Sequence, residues 1–229
     1  MTNYWEGVER QWQDQCLGSL EPLLVVIRDA HVFVADVAQH REIQESPHSE
    51  QLRVERLLLR RLGEELRGVE LLAINGHGYQ AASAAASLFE QAHHLAAVTD
   101  DEEQAKKFAN WSDPHKSPFG KVKDAFKKSG QARGWTKDRT DEDYETYGML
   151  CGFKHNNPVF FRLLQMSADP DLYLARISLS NAVWFTLTAV MLMAFKRLSN
   201  TCMLEFVERC NSILDRASAL MPGSPEHRT

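Results

Sequence analysis

The sequence predicts an all-α fold, a single helical bundle of about six to eight helices carrying a basic, loop-rich insertion. Three observations lead there. Apolar residues recur at helical steps through most of the 229 residues. Clusters of Gly, Pro and Asn fall between those periodic stretches, where they end helices. The stretch from Tyr79 to Val98 is rich in alanine, and its small side chains suit a helix at the centre of a bundle. An apolar content of 44% supplies a core of that size. Residues 1–221 therefore read as one helical domain, with the insertion over about 106–139 and a disordered Pro-Gly-Ser-Pro tail over 222–229.

From Leu17 to about Gln44, Leu20, Leu24, Ile27, Val34 and Ala38 keep helical spacing, with Arg28, Asp29 and Asp36 between them. The Val-rich piece Leu23 to Ile27 also admits a strand, and length favours the helix. Ser46, Pro47 and His48 form a turn. Leu52, Leu59, Leu62, Leu66, Val69 and Ala73 mark an amphipathic helix that Asn75, Gly76, His77 and Gly78 end. The alanine-rich helix comes next. Short helices fit around Gln104 to Trp111 and Lys121 to Lys128, and a longer one opens at Asp141, Glu142 and Asp143 and runs to about His155. Two long helices, Asp171 to Leu198 and Asn200 to Leu220, close the series.

Charge is distributed unevenly. The net charge is -5, yet Lys106 to Arg139 holds ten Lys or Arg against three Asp, about +7 locally and so about -12 elsewhere. The four cysteines, Cys16, Cys151, Cys202 and Cys210, form no C-x-x-C pair, so neither a disulfide framework nor a zinc site is expected. Trp5, Glu6, Glu9 and Arg10 stand where an export signal needs an apolar run, which points to a cytoplasmic protein. Ile177 to Phe195 carries no charge over 19 residues. Ser178, Ser180, Asn181, Thr186 and Thr188 interrupt it, so it reads as a core helix and no membrane partner is expected.

Two polar stripes are candidates for chemistry. Ser83, Ser87, Glu90 and His94 recur at steps of four, three and four, and so do Tyr144, Tyr147, Cys151 and His155 with steps of three, four and four. If their helices pack together, Glu90, His94, Tyr147 and His155 share a polar pocket in which a carboxylate poises an imidazole for proton transfer. The same residues also suit buried structural partners. Glu90 to His93 matches the Glu-x-x-His element of di-iron bundles, but its only second copy, Glu45 to His48, contains Pro47 and falls in a turn. No metal and no cofactor are expected. His31 reads as a core histidine. In the basic segment, Lys116, Lys121, Lys123, Lys127, Lys128 and Arg133 are the candidate phosphate contacts, interleaved with Phe108, Trp111, Phe119, Phe126 and Trp135. Those aromatics stack on bases if exposed and anchor the segment if buried.

Ser87-Leu88-Phe89-Glu90-Gln91-Ala92, then Asp100 to Phe108, then Tyr147, Leu150, Cys151 and His155 resemble a group of bacterial helical proteins distantly similar to the HEPN superfamily. The resemblance spans roughly Gly78 to Asn157. It implies a helical bundle, frequently dimeric, whose active relatives are RNases of toxin-antitoxin and phage-defence systems that set an Arg shortly before a His on one helix. His155 takes the His position, but Gly148, Met149 and Leu150 stand where the Arg belongs, and Ala86 occupies the place of an Arg that often precedes the Ser-Leu-Phe-Glu element. The expectation is a HEPN-like binding module that engages itself, a protein partner or RNA. The alternatives are a nucleic-acid or nucleotide-processing enzyme built on His155 and Glu90, and a structural subunit of a homo-oligomer.

Overall fold

A run of alanines sets the centre of the bundle. The computed structural model describes residues 4–47, 49–113, 115, 117–118, 122–132, 134, 136–155, 157–165 and 169–221. Among the described residues ten helices succeed one another and there is no strand. They are α1 (Tyr4–Gln39), α2 (Arg41–Gln44), α3 (Glu50–Ile74), α4 (Gly78–Asp100), α5 (Glu102–Ala109), α6 (Val122–Ala132), α7 (Lys137–Lys154), α8 (Pro158–Gln165), α9 (Pro170–Arg197) and α10 (Asn200–Ala219). Ala81, Ala82, Ala85, Ala86, Ala92 and Ala96 are completely buried. A surface of methyl groups lets neighbouring axes approach closely, and α4 accordingly touches α3, α5, α6, α7 and α9. Helix α9 lies against it and also meets α1, α3, α8 and α10.

Local chemistry places the ends. The side chains of Ser49, Asp101, Thr136 and Asp169 accept from Leu52 N, Glu103 N, Arg139 N and Leu172 N at 3.1, 2.8, 3.2 and 3.0 Å, each filling one of the donors a helix start leaves over. Gly76 turns the chain after α3 with φ of 78°, a conformation open to glycine. Trp12 closes over that turn, its Nε1 donating to Ala73 O at 3.1 Å.

The structure corrects several expectations. Helix α1 begins at Tyr4 rather than Leu17 and carries Pro22 inside it, while the Leu23 to Ile27 piece is helix, as its length favours. The helix count exceeds six to eight because α2 separates from α1 and α8 adds a short helix ahead of α9. Within the basic insertion the described residues include the end of α5, all of α6 and the start of α7. Thr136 caps α7 one turn before Asp141, and Gly130 sits inside α6, where a Cβ would come within 2.8 Å of Thr140 Oγ1. That glycine serves close approach of α6 and α7 rather than a break. The tail at 222–229 and Cys16's side chain lie outside what is described.

The uncharged stretch of α9 is a core helix: it is the one described helix long and apolar enough to cross a membrane, with mean hydropathy 1.6 over a window that is 89% buried. Beside it, Arg197 at the end of α9 forks onto Glu55 of α3, with Nη2 and Nε at 2.9 and 3.0 Å from the two carboxylate oxygens. Glu55 is 0% exposed, and that guanidinium is the cation that meets both of its oxygens. Glu70 is likewise buried and held by Arg67, with His31 at 3.5 Å. Burial pushes the His31 imidazole below its usual pKa despite Glu70.

Removing one member of a buried ion pair strands the other. Arg197→Ala is expected to lower unfolding free energy in urea by about 3 kcal/mol, and Glu55→Met with Arg197→Met to recover most of it. A loss no larger than that of an exposed pair, such as Arg41→Ala gives, refutes this role for Arg197.

Candidate functional site

The two predicted stripes meet where α4 crosses α7. Tyr147 donates its hydroxyl to Glu90 Oε1 at 2.7 Å. The Tyr147 ring stacks on Phe89 with centroids 4.5 Å apart and planes at 16°. Phe89 in turn meets Phe185 of α9 edge-on at 4.7 Å and Phe126 of α6 at 5.0 Å. Four helices thus share one aromatic cluster, with a carboxylate and a phenol at its margin.

The histidines divide differently from the sequence reading. His93, outside the acid–base set expected from the stripes, is 3% exposed. Its Nδ1 lies 3.0 Å from Ser129 Oγ on α6, and its ring packs edge-on against Phe126 at 4.4 Å. This ties the Glu-x-x-His element into the core. His94 stands beside it on α4, half-buried, with burial bringing its pKa down to about 4. His155 is exposed, because α7 ends at Lys154 and His155 caps it through its backbone N–H to Cys151 O at 2.9 Å. Its side chain makes no hydrogen bond or ion pair with the described residues. Glu90 and Tyr147 are brought together, and His155 is left at the end of the helix.

The protonation states bear on what this cluster can do. Burial, then hydrogen bonding with Cys151 and Glu90, pushes the Tyr147 phenol far above its usual range. Burial also raises the Cys151 thiol, against the Tyr147 hydrogen bond that lowers it. Near neutral pH the cluster therefore holds a protonated phenol and a protonated thiol. A protonated thiol is a poor nucleophile and a poor metal ligand. Among the described residues no group of three or more His, Cys, Asp and Glu stands close enough to hold a metal ion.

The basic segment resolves into an amphipathic α6. Lys123, Lys127 and Lys128 are exposed, while Phe126, Ser129 and Gly130 are buried. Lys123 Nζ sits 5.6 Å from the Tyr144 ring centroid, a cation–π distance. Lys116, Lys121 and Arg133 lie outside the described residues, as do Phe119 and Trp135. Phe126, a stacking candidate by sequence, is an anchor at 1% exposure. Trp111 is 37% exposed, with Lys107 Nζ 5.7 Å from its ring centroid.

Compared with known proteins, the chain matches no family model, no curated protein and no solved structure.

Two outcomes test the cluster. Tyr147→Phe keeps the stack and deletes the donor to Glu90; its expected cost is about 1–2 kcal/mol in urea unfolding, and an unchanged midpoint refutes the bond's contribution. For His94 the folded pKa of about 4 lies below the ordinary 6.5, so the unfolded chain takes up the proton first. Its contribution is present above pH 6.5, is lost as pH falls toward 4, and changes no further below that. His94→Gln is therefore expected to flatten the stability profile between those pH values, and parallel profiles for the two proteins count against a buried neutral His94.

Proposed function

We propose that this chain is a helical binding module that takes hold of a polyanion, RNA in the first instance, through the exposed lysines of α6. The observation that carries this reading is a difference in how the cations are used. Arg60, Arg67, Arg139, Arg197, Arg209 and Arg216 each lie against a carboxylate, whereas Lys123, Lys127 and Lys128 make no ion pair with any described residue. A cation already neutralised inside the fold gains little from a phosphate; one held in water releases counterions when a phosphate replaces them.

The geometry also supports a mode. Lys123 and Lys127 are one helical turn apart, roughly 6 Å along the axis, and Lys128 follows about 100° round the helix. Phe126 is inside the bundle, so α6 offers charge without an aromatic platform. Such a surface grips the sugar-phosphate backbone and reads no sequence. The protonated phenol and thiol at the α4–α7 crossing, with His155 apart from them, favour a structural part for that cluster over catalysis. This reading agrees with the HEPN-like resemblance while treating the chain as one that holds RNA rather than cuts it.

Fluorescence anisotropy with labelled single-stranded polyuridine across a salt series tests it. The native chain is expected to bind at low salt, and replacing Lys123, Lys127 and Lys128 together by Gln to make the slope of log K against log salt shallower by about 2, at roughly 0.7 per single-strand contact. His155→Ala is expected to leave both affinity and the RNA itself unchanged. Absence of low-salt binding, or an unchanged slope in the triple variant, ends the proposal; RNA cleaved by the native chain and spared by His155→Ala transfers the function to catalysis.

A further inference from the structure

A second site lies in the hairpin of α1 and α3. Between these two helices is a cavity of about 710 Å³, in the upper part of the range that ligand pockets occupy. Its apolar lining is Val34, Ala35 and Ala38 from α1 and Leu59 and Gly63 from α3. It extends along α3 from Arg56 to Arg67, roughly 16 Å of helix axis. Gly63 keeps the middle open. A Cβ added there meets only Val34 Cγ1, at 3.9 Å, an ordinary contact. Packing therefore does not require a glycine at this position, although glycine is the poorest helix former after proline.

The charges lie unevenly along this cavity. The polar residues of its α1 wall are His31 and Gln39, and burial holds the His31 imidazole below its usual pKa. The α3 wall carries Arg56, Arg60, Glu64 and Arg67. Arg60 Nε lies 2.9 Å from Glu64 Oε1, and Arg67 pairs with Glu70. Arg56 is used differently. Its Nη2 donates to the backbone carbonyls of Ile43 and Gln44, which fix the guanidinium without neutralising it. It makes no ion pair with any described residue, and its buried Nε has no hydrogen-bond partner among them. One unneutralised cation thus stands at one end of an apolar channel. An acidic helix laid between α1 and α3 needs cations along both walls, whereas one anionic head followed by an apolar tail matches the charges that are there.

We infer that this cavity binds a single-chain amphiphile with a carboxylate head, a medium-chain fatty acid or a molecule of that form. The carboxylate meets the Arg56 guanidinium in a charge-assisted hydrogen bond, and the alkyl chain lies along Ala38, Leu59, Ala35 and Gly63. The site is built on α1 and α3, separate from the lysines of α6, and does not depend on the polyanion reading.

Isothermal titration of the full chain with decanoate, hexanoate and decyltrimethylammonium, each below its micelle concentration, tests this. Decanoate is expected to bind with one molecule per chain. Hexanoate is expected to bind roughly tenfold or more weakly, because less of its chain is buried, and decyltrimethylammonium, which keeps the tail and reverses the charge, roughly tenfold or more weakly as well. Gly63→Leu fills the middle of the cavity; it is expected to weaken decanoate by about tenfold and to melt no lower than the native chain. Arg56→Gln is expected to weaken decanoate by about tenfold. If Arg56→Gln does not fold, the two head groups on the native chain and Gly63→Leu still decide. The inference is overturned if decanoate does not bind at millimolar concentration, if decyltrimethylammonium binds as tightly, or if either variant, folded by circular dichroism, binds decanoate as the native chain does.

Discussion

The close approach of helices to α4 is the constraint on which the rest of the structure depends. Its methyl-sized surface at Ala81, Ala82, Ala85, Ala86, Ala92 and Ala96 admits five neighbouring helices. A helix so enclosed has little solvent-facing surface, and its remaining polar groups must find partners on the elements around it. Glu90 finds the Tyr147 hydroxyl, His93 finds Ser129, and Gln91 reaches Glu65 of α3 at 3.2 Å. The polar groups of α4 thereby fix which faces of α3, α6 and α7 are turned inward.

The fold class was legible because helical periodicity and the alanine run are local signals that tertiary packing reinforces. The starts of α3 and α9 were legible from periodicity, and the residues ahead of them, Ser49 and Asp169, are of the capping type. The start of α1 was not, since Pro22 within a helix argues against continuity and the contact that holds the early turns, Trp12 against Ala73, joins residues far apart in sequence. Gly130 is ambiguous in the sequence for a related reason. A glycine that breaks a helix and a glycine that lets two helices touch look the same until the neighbour, here Thr140, is known.

The candidate residues were legible to the extent that helical steps continue. Glu90 and Tyr147 sit on stripes that do meet, so periodicity placed both. The stripe through Tyr144, Tyr147 and Cys151 reaches His155 only if the helix persists, and α7 ends one residue short. Between His93 and His94 a single sequence offers no means of choice: consecutive helix positions differ by about 100°, and only the position of α6 decides which imidazole is buried. The cations were harder still. Between Lys106 and Arg139 the composition showed an excess of Lys and Arg, but not which had carboxylates beside them. The planar, forked guanidinium suits fixed carboxylate geometry, whereas the flexible, strongly hydrated ammonium is readily left in water.

Helix α7 turns polar side chains to two sides because its stripes lie one residue out of step. Thr140, Tyr144, Tyr147 and Cys151 fall along one line; Tyr144 and Tyr147 pack with the aromatic cluster around Phe126 and Phe89. Arg139, Asp143 and Thr146 fall along a second line, displaced by about 100°, and face a cavity against α9 and α10. With chemistry on two sides, neither side is purely apolar, so the usual amphipathic pattern is weak in this helix. The helix that is least regular by pattern is thus the one with the most polar work on its surface, which is the opposite of α3, whose clean amphipathic pattern marks a helix with one core face and one solvated face.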